Sequence, residues 1–361
     1  RSYKPTTKGN YVQVRRVMAA LEEAEKPLIC IGGGVFAAHA ENEIRELADI
    51  MQIPVITTMM GISVFPDDDQ LFCGMIGTHG VKMANAAVNE CDVLFLVGAR
   101  VGDRAVKTPL ALEKTTKIIH IDIDPAEIGK NIGADLPLVG DAKLVLQQMT
   151  ELAKPMKHDE WIAHIKTLGG ERKYVEPAKG TVNPRVFIDR LAKKMPANVT
   201  VVADVGQNQI WTCTEYKFCK EGRLLTSGGM GTMGYSVPAA IGAKMADNSR
   251  ATVAICGDGA FQMSFMELAT AVQFGVDIKV VVMTNNRLGM VRELQTNGYH
   301  DRQTAVFLDG SPDFIKLAEA YGIPAMRVYD DDTMEKGVEM LAEHKGICLV
   351  EVVVDKDMPT L

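Results

Sequence analysis

Two short runs hold the residues of this sequence best suited to chemistry: Gly257-Asp258-Gly259 and Asn285-Asn286, each closing a strand-like stretch. Thr252 to Cys256 reads as a buried strand, Met263 to Phe274 as an amphipathic helix, and Ile278 to Thr284 as a second buried strand. That is one βαβ unit. A right-handed crossover sets Asp258 and Asn285 at the carboxyl ends of parallel strands, where open α/β sheets bind ligands. A carboxylate and a side-chain amide are hard oxygen ligands that suit Mg²⁺, and small residues opening a helix leave free N–H groups for phosphate. Gly-Asp-Gly alone is also an ordinary strand-to-helix turn. The asparagine run one helix later is what points to a magnesium diphosphate site.

The elements that must position these residues alternate along the whole chain. In the first half, strands are expected at Pro27 to Ile31, Val55 to Thr58, Val93 to Val97 and Ile118 to Ile123. The helix after the first strand puts Ile44, Leu47, Ala48 and Met51 on one face. In the second half, strands are expected near Val199 to Ala203, Thr252 to Cys256, Ile278 to Thr284 and Cys348 to Val354. Asn183-Pro184 caps a helix, Ser311-Pro312 starts another that Gly322 ends, and a last helix runs from about Thr333 to His344. The expected fold class is α/β, with two doubly wound parallel-sheet domains. Residues 1–155 form a nucleotide-binding domain, the polar stretch 156–182 a linker with a helical patch around Trp161, and residues 183–361 the domain of the diphosphate site.

With 361 residues the chain has room for two cores. Its net charge of −7 argues against nucleic-acid or anionic-membrane partners. The seven cysteines are scattered, odd in number and without a CxxC pair, as expected of reduced thiols in a cytoplasmic protein. No apolar run has the length to span a bilayer, and Arg1 to Asn10 lacks a signal-peptide core. The start reads as a chain cut inside a longer protein.

Further loops fall at strand ends. Ser227 to Gly234 (SGGMGTMG) allows close backbone approach to a ligand, with Met233 as an apolar support for a flat ring. Val205-Gly206-Gln207-Asn208-Gln209 follows Asp204 and reads by itself as a polar loop. In the first half, Gly32-Gly33-Gly34 lacks the spaced GxGxxG form and is by itself a plain βα turn. An acidic residue at a later strand end, as in Asp122-Ile123-Asp124, accepts from a ribose, and Arg100 suits a diphosphate. His79 in GTHG reads equally as a loop histidine, and Asp67-Asp68-Asp69 as a solvated turn.

Taken together, GTHG (Gly77 to Gly80), GARVGDR (Gly98 to Arg104), HIDIDPAEIGKN (His120 to Asn131), VGDAK (Val139 to Lys143) and NNRLGMV (Asn285 to Val291) resemble the catalytic subunit of acetolactate synthase, a thiamine diphosphate enzyme. The resemblance implies that Asp258, Asn285 and the carbonyl of Arg287 ligate Mg²⁺, and that Gly259 and Ala260 hold the diphosphate. Gly231 and Met233 would grip the aminopyrimidine and bend the cofactor, with Gln207, Asn208, Gly289 and Met290 completing the pocket. It places FAD, without a redox role, on Gly33, Thr58, Met59, Gly77, His79, Gly98, Arg100, Asp122, Ile123 and Asp141.

The implied reaction joins two pyruvates, or pyruvate and 2-oxobutanoate, with loss of CO₂, in branched-chain amino-acid synthesis. A homodimer or homotetramer and a small regulatory subunit are the implied partners. Three positions depart from the family pattern: Asn208 for His, Leu294 for Trp and Gly102 for Asp. The family's glutamate-bearing N-terminal domain has no counterpart here, so the isolated chain is expected to be inactive or nearly so. Other readings are a related carboligase or decarboxylase, such as glyoxylate carboligase, and a non-catalytic nucleotide-binding module.

Overall fold

A computed structural model describes residues 4–170 and 174–361. The chain divides into two compact units, Arg1–Glu171 and Arg172–Leu361. The first holds strands β1 (Pro27–Ile31), β2 (Val55–Thr57), β3 (Phe72–Met75), β4 (Val93–Val97), β5 (Lys117–Asp122) and β6 (Leu136–Val139). They form one parallel sheet in the order β3-β2-β1-β4-β5-β6. Its central strands are apolar on both faces because both are covered: Ile29 and Ile31 enter one core, Leu28 and Cys30 the other.

The second unit holds β7 (Thr200–Ala203), β8 (Arg223–Thr226), β9 (Thr252–Gly257), β10 (Lys279–Thr284), β11 (Ala325–Val328) and β12 (Cys348–Val353). Its parallel sheet has the order β11-β12-β10-β9-β7-β8. The α/β class with two parallel sheets agrees with the sequence reading, and the eight strands expected there are present within a residue or two.

Several local expectations are corrected. The single helix expected over Met263 to Phe274 is a 3-10 turn, Phe265–Glu267, followed by Leu268–Gln273. Ser264, at φ −144°, interrupts the run before it. The helix that opens at Asp258 is only four residues long, Asp258–Phe261. The helix expected from Ser311-Pro312 starts at Phe314 instead, because the Asp313 carboxylate accepts from Ile315 N at 3.1 Å and Lys316 N at 3.4 Å. Asn183 does cap helix Pro184–Lys194, its side chain accepting from Arg185 N and Val186 N.

Part of the 156–182 stretch is packed structure. Helix Asp159–Thr167 puts Trp161 and Ile165 into a core of the first unit, where Trp161 Nε1 donates to Pro27 O at 2.9 Å. Residues 171–173 of that stretch lie outside the described residues. All seven cysteines are free and six are buried, and burial pushes the Cys30 and Cys91 thiols up to about 12. Among the described residues no helix is long and apolar enough to cross a membrane.

His120 on β5 is 1% exposed, and its ring nitrogens lack a hydrogen-bond partner among the described residues, although the Ala99 backbone faces it. Burial holds its pKa below the ordinary value, against the opposing pull of Asp122 and Glu127. The unfolded chain therefore takes up a proton before the folded one, and stability is lost as pH falls below about 6.5, by up to about 1.4 kcal/mol per unit. We expect His120→Leu to lose less melting temperature than the wild type between pH 7.5 and pH 5.0. Equal losses in thermal melts would show that this histidine carries no acid sensitivity.

Candidate functional site

In the second sheet β7 neighbours β8 on one side and β9 on the other, so the strand order reverses between β7 and β9. Loops leaving the two carboxyl ends part there and leave a crevice. It has about 600 Å³ of empty space, its open mouth included, and it is lined by residues 205–208 after β7, 257–260 after β9 and 287–291 after β10, with Trp211, Met233, Met283 and Asn285.

Each strand end contributes a side chain bound to main chain. Asp204, fully buried, accepts from Val205 N and Gly234 N through Oδ1, each at 2.9 Å, and from Ser236 N through Oδ2 at 2.8 Å. It thereby ties the glycine-rich loop to the crevice wall. Asn208 Nδ2 donates to Asp204 O at 2.8 Å and Ile255 O at 3.1 Å, bridging the ends of β7 and β9. Asp258, 2% exposed, accepts from Gly259 N at 2.8 Å, Asn285 N at 3.2 Å and Asn286 N at 2.6 Å.

The turn after β10 is held open by backbone geometry and by a cation. Asn286 lies at φ 53°, in the left-handed region that asparagine tolerates. Arg287 Nη1 donates to Asn286 O at 2.6 Å and to Asp309 Oδ1 at 2.7 Å, and its guanidinium stands 4.7 Å from the centre of the Phe307 ring. Asn285 Oδ1 accepts from Arg287 N at 3.0 Å. Gly289 leaves room for Gln207: an added Cβ would lie 1.8 Å from Gln207 Oε1, so that side chain would have to shift.

The electrostatics single out Asp258. No cationic side chain pairs with it among the described residues, and burial raises its pKa from the ordinary 3.8 to about 6 against the lowering effect of its backbone hydrogen bonds. A buried carboxylate without a cation favours binding one. Among the described residues no three His, Cys, Asp or Glu side chains gather as a metal cluster. A cation here would share one carboxylate with neutral oxygens and ligand phosphates, which is how Mg²⁺ is held and not how zinc is.

Of the residues singled out from sequence, Gln207, Asn208, Met233, Asp258, Gly259, Ala260, Asn285, Arg287, Gly289 and Met290 all line this crevice. Gly231 does not. Its N–H bonds back to Ser227 O at 2.9 Å and it lies exposed at φ 66°. Sequence reasoning missed the anchoring by Asp204 and the lining by Trp211, whose Nε1 donates to Pro359 O at 3.1 Å.

In the first unit the order reverses between β1 and β4, and the second set of residues falls at the carboxyl ends of that sheet. Gly33 follows β1, Thr58 and Met59 follow β2, Gly77 and His79 follow β3, and Gly98 and Arg100 follow β4. Asp122 and Ile123 end β5, and Asp141 caps the helix after β6, accepting from Leu144 N at 3.2 Å. Gly34 N donates to Gly98 O at 3.0 Å, and a Cβ on Gly32 would meet Gly98 O at 2.1 Å. These glycines let two strand ends touch. Arg100 is exposed and free to reach an anion, whereas the Asp122 carboxylate already accepts from Asp124 N at 3.0 Å.

Residues 204–352 match the thiamine pyrophosphate enzyme C-terminal TPP binding domain, and residues 14–149 the central domain of the same enzymes. The chain belongs to the thiamine pyrophosphate enzymes. It is 40% identical to a probable acetolactate synthase large subunit of Methanocaldococcus jannaschii, over 98% of this chain and 61% of that protein. It is 39% identical to an acetolactate synthase of Arthrospira platensis, over 98% of this chain and 63% of that protein. With the acetolactate synthase isozyme 3 large subunit of Escherichia coli the figures are 35%, 98% and 64%. The chain thus spans somewhat under two thirds of these relatives, within a family whose C-terminal domain is named for the cofactor that the crevice chemistry fits.

Two outcomes follow from the geometry. Gly289→Ala forces Gln207 off its site and is expected to cost roughly 1–3 kcal/mol in chemical denaturation; a cost under about 0.5 kcal/mol would mean that Gln207 has room to move. The raised pKa of Asp258 means the metal-free folded chain holds that proton more tightly than the unfolded chain, so its contribution to stability declines as pH rises toward about 6. A cation reverses that decline only where the carboxyl is ionised. The melting-temperature gain from Mg²⁺ at fixed thiamine diphosphate should therefore be larger at pH 7.5 than at pH 5.0, and equal gains would contradict the assignment.

Proposed function

We propose that the second unit binds thiamine diphosphate through Mg²⁺ and that this chain carries the cofactor for an acetolactate synthase. The observation that carries the reading is Asp258: a buried carboxylate at a strand end, unpaired with any cation among the described residues, beside Asn285 in an open crevice. Asp258, Asn285 and the main chain of Arg287 are the metal ligands in this reading. Gly259 and Ala260 offer main-chain N–H groups to the diphosphate. Gln207, Asn208, Gly289 and Met290 form the walls, and Met233 supports the rings, with Gly231 shaping its loop. When bound, thiamine diphosphate supplies a carbanion equivalent that adds to a 2-oxo acid and serves as an electron sink. The chain's own tasks are then to anchor the charged end, exclude water and hold the rings.

The substrates in this reading are pyruvate and 2-oxobutanoate, and the product opens branched-chain amino-acid synthesis. FAD is assigned to the carboxyl ends of the first sheet, on Gly33, Thr58, Met59, Gly77, His79, Gly98, Arg100, Asp122, Ile123 and Asp141. Glycine contacts at a strand-order reversal and an exposed arginine there suit a dinucleotide diphosphate. Relatives named large subunits support a small-subunit partner and a homo-oligomer. Seven free thiols agree with a cytoplasmic location. Domains 1–155 and 183–361 belong to the same reading, with helix Asp159–Thr167 of the stretch 156–182 packed as part of the first.

Isothermal titration of thiamine diphosphate with and without Mg²⁺ tests the core of it. Binding should require the divalent ion and be lost in Asp258→Ala, while pyruvate is consumed in preference to glyoxylate by the protein with its partners. Binding indifferent to Mg²⁺ would overturn the site, and preference for glyoxylate would move the reaction to another carboligase.

A further inference from the structure

Gln207 is 4% exposed, and its amide is surrounded by acceptors on one side only. Nε2 donates to Met358 O at 2.9 Å and lies 3.2 Å from Thr360 Oγ1 and 3.4 Å from Glu293 Oε2. Thr360, 2% exposed, donates its hydroxyl to Glu293 Oε2 and its N–H to the same carboxylate at 3.1 Å. Its oxygen is therefore left to accept from Gln207. A flipped amide would set Oε1 against a carbonyl and a carboxylate at once, so the orientation is determined.

Oε1 consequently faces Asn285 and accepts from its Nδ2 at 3.2 Å. Gly289 clears the space for that oxygen. With Nδ2 committed to Gln207, Asn285 must present Oδ1 on the Arg287 side of the turn, where it accepts from Arg287 N at 3.0 Å and keeps a lone pair free.

We propose that Gln207 is a positioning residue, oriented by Thr360 and Glu293, which turns the Asn285 amide so that its oxygen and not its nitrogen meets the metal. The inference rests on the cofactor reading above. It extends the metal site to the segment after β12, which other bonds also clamp: Arg185 Nη2 donates to Thr360 O at 2.6 Å, and Arg292 Nη1 to Asp357 Oδ1 at 3.3 Å. Neither Thr360 nor Glu293 lines the crevice, and the lining side chain that both contact is Gln207.

The test is the Mg²⁺ concentration that half-saturates thiamine diphosphate binding, measured by calorimetry on the full chain. Thr360→Val, which removes the hydroxyl at nearly constant volume, should raise it on the order of tenfold, the scale of groups that orient metal ligands. Thr360→Ser should restore it. Glu293→Ala, on the half-buried face of its helix, should shift it in the same direction and decides the matter should Thr360→Val fail to fold. In an Asn285→Asp background both outer atoms are oxygens and no orientation is needed, so adding Thr360→Val should cause no further increase. A folded Thr360→Val or Glu293→Ala protein with the wild-type requirement would overturn the proposal, as would an equal increase in the Asn285→Asp background. A wild-type protein that binds without Mg²⁺ would instead overturn the cofactor reading itself.

Discussion

The crevice of the second unit depends on how two buried carboxylates are used at the reversal between β7 and β9. Asp204 and Asp258 end adjacent strands, and each is turned onto main-chain N–H groups that belong to a different loop: Gly234 and Ser236 for one, Asn285 and Asn286 for the other. A loop leaving a strand end has no ladder to define its path. A carboxylate acceptor supplies that path, because charge-assisted bonds are about twice as strong as neutral ones. Asn208 joins the two strand ends to each other, so the three walls of the crevice share one hydrogen-bonded frame.

The two sheets reach similar openings by different means. In the first, the reversal at β1 and β4 is closed by glycines in contact, Gly32 and Gly34 against Gly98, and the binding residues implied by the family stand on the loops around them. In the second, the reversal is spanned by polar side chains. Glycine contact leaves a smooth surface of main chain, suited to an elongated ligand held along its length. Carboxylates and amides give a polarised pocket, suited to a metal and its phosphates.

How much of this was legible in the sequence follows from burial. The strands read correctly, β1, β2, β4, β5, β7, β9, β10 and β12, are the interior ones, where both faces are covered and most residues are apolar, with His120 in β5 and Glu351 in β12 among the buried exceptions. The four not recognised, β3, β6, β8 and β11, are the edges of the two sheets. Each has four residues, and each is only partly buried, as in Arg223 to Thr226 and Ala325 to Val328, so no run stands out from a loop. The site divides in the same way. Gly257 to Gly259 and Asn285 were readable because their chemistry is local to a strand end. The bonds that orient Gln207 join it to residues 151 and 153 positions away, and nothing in its neighbours announces them.

The groups that make the crevice receptive also make it costly when no ligand is bound. Asp258 is ionised near neutral pH only against its burial, and its three backbone bonds offset part of that cost without supplying an opposite charge. In the proposed reading a divalent ion would supply it, which would link folding and cofactor binding through one carboxylate, since any ligand that favours the folded form raises its stability by mass action. The polar frame fits this requirement. A side chain free to turn away would relieve the cost by exposing its charge, and the crevice would lose its buried carboxylate. Asp258 is held inside by the main-chain N–H of Gly259, in the short helix after β9, and by those of Asn285 and Asn286 in the turn after β10, so escape would require all three bonds to break. The site keeps its unfavourable charge because the sheet cannot release it.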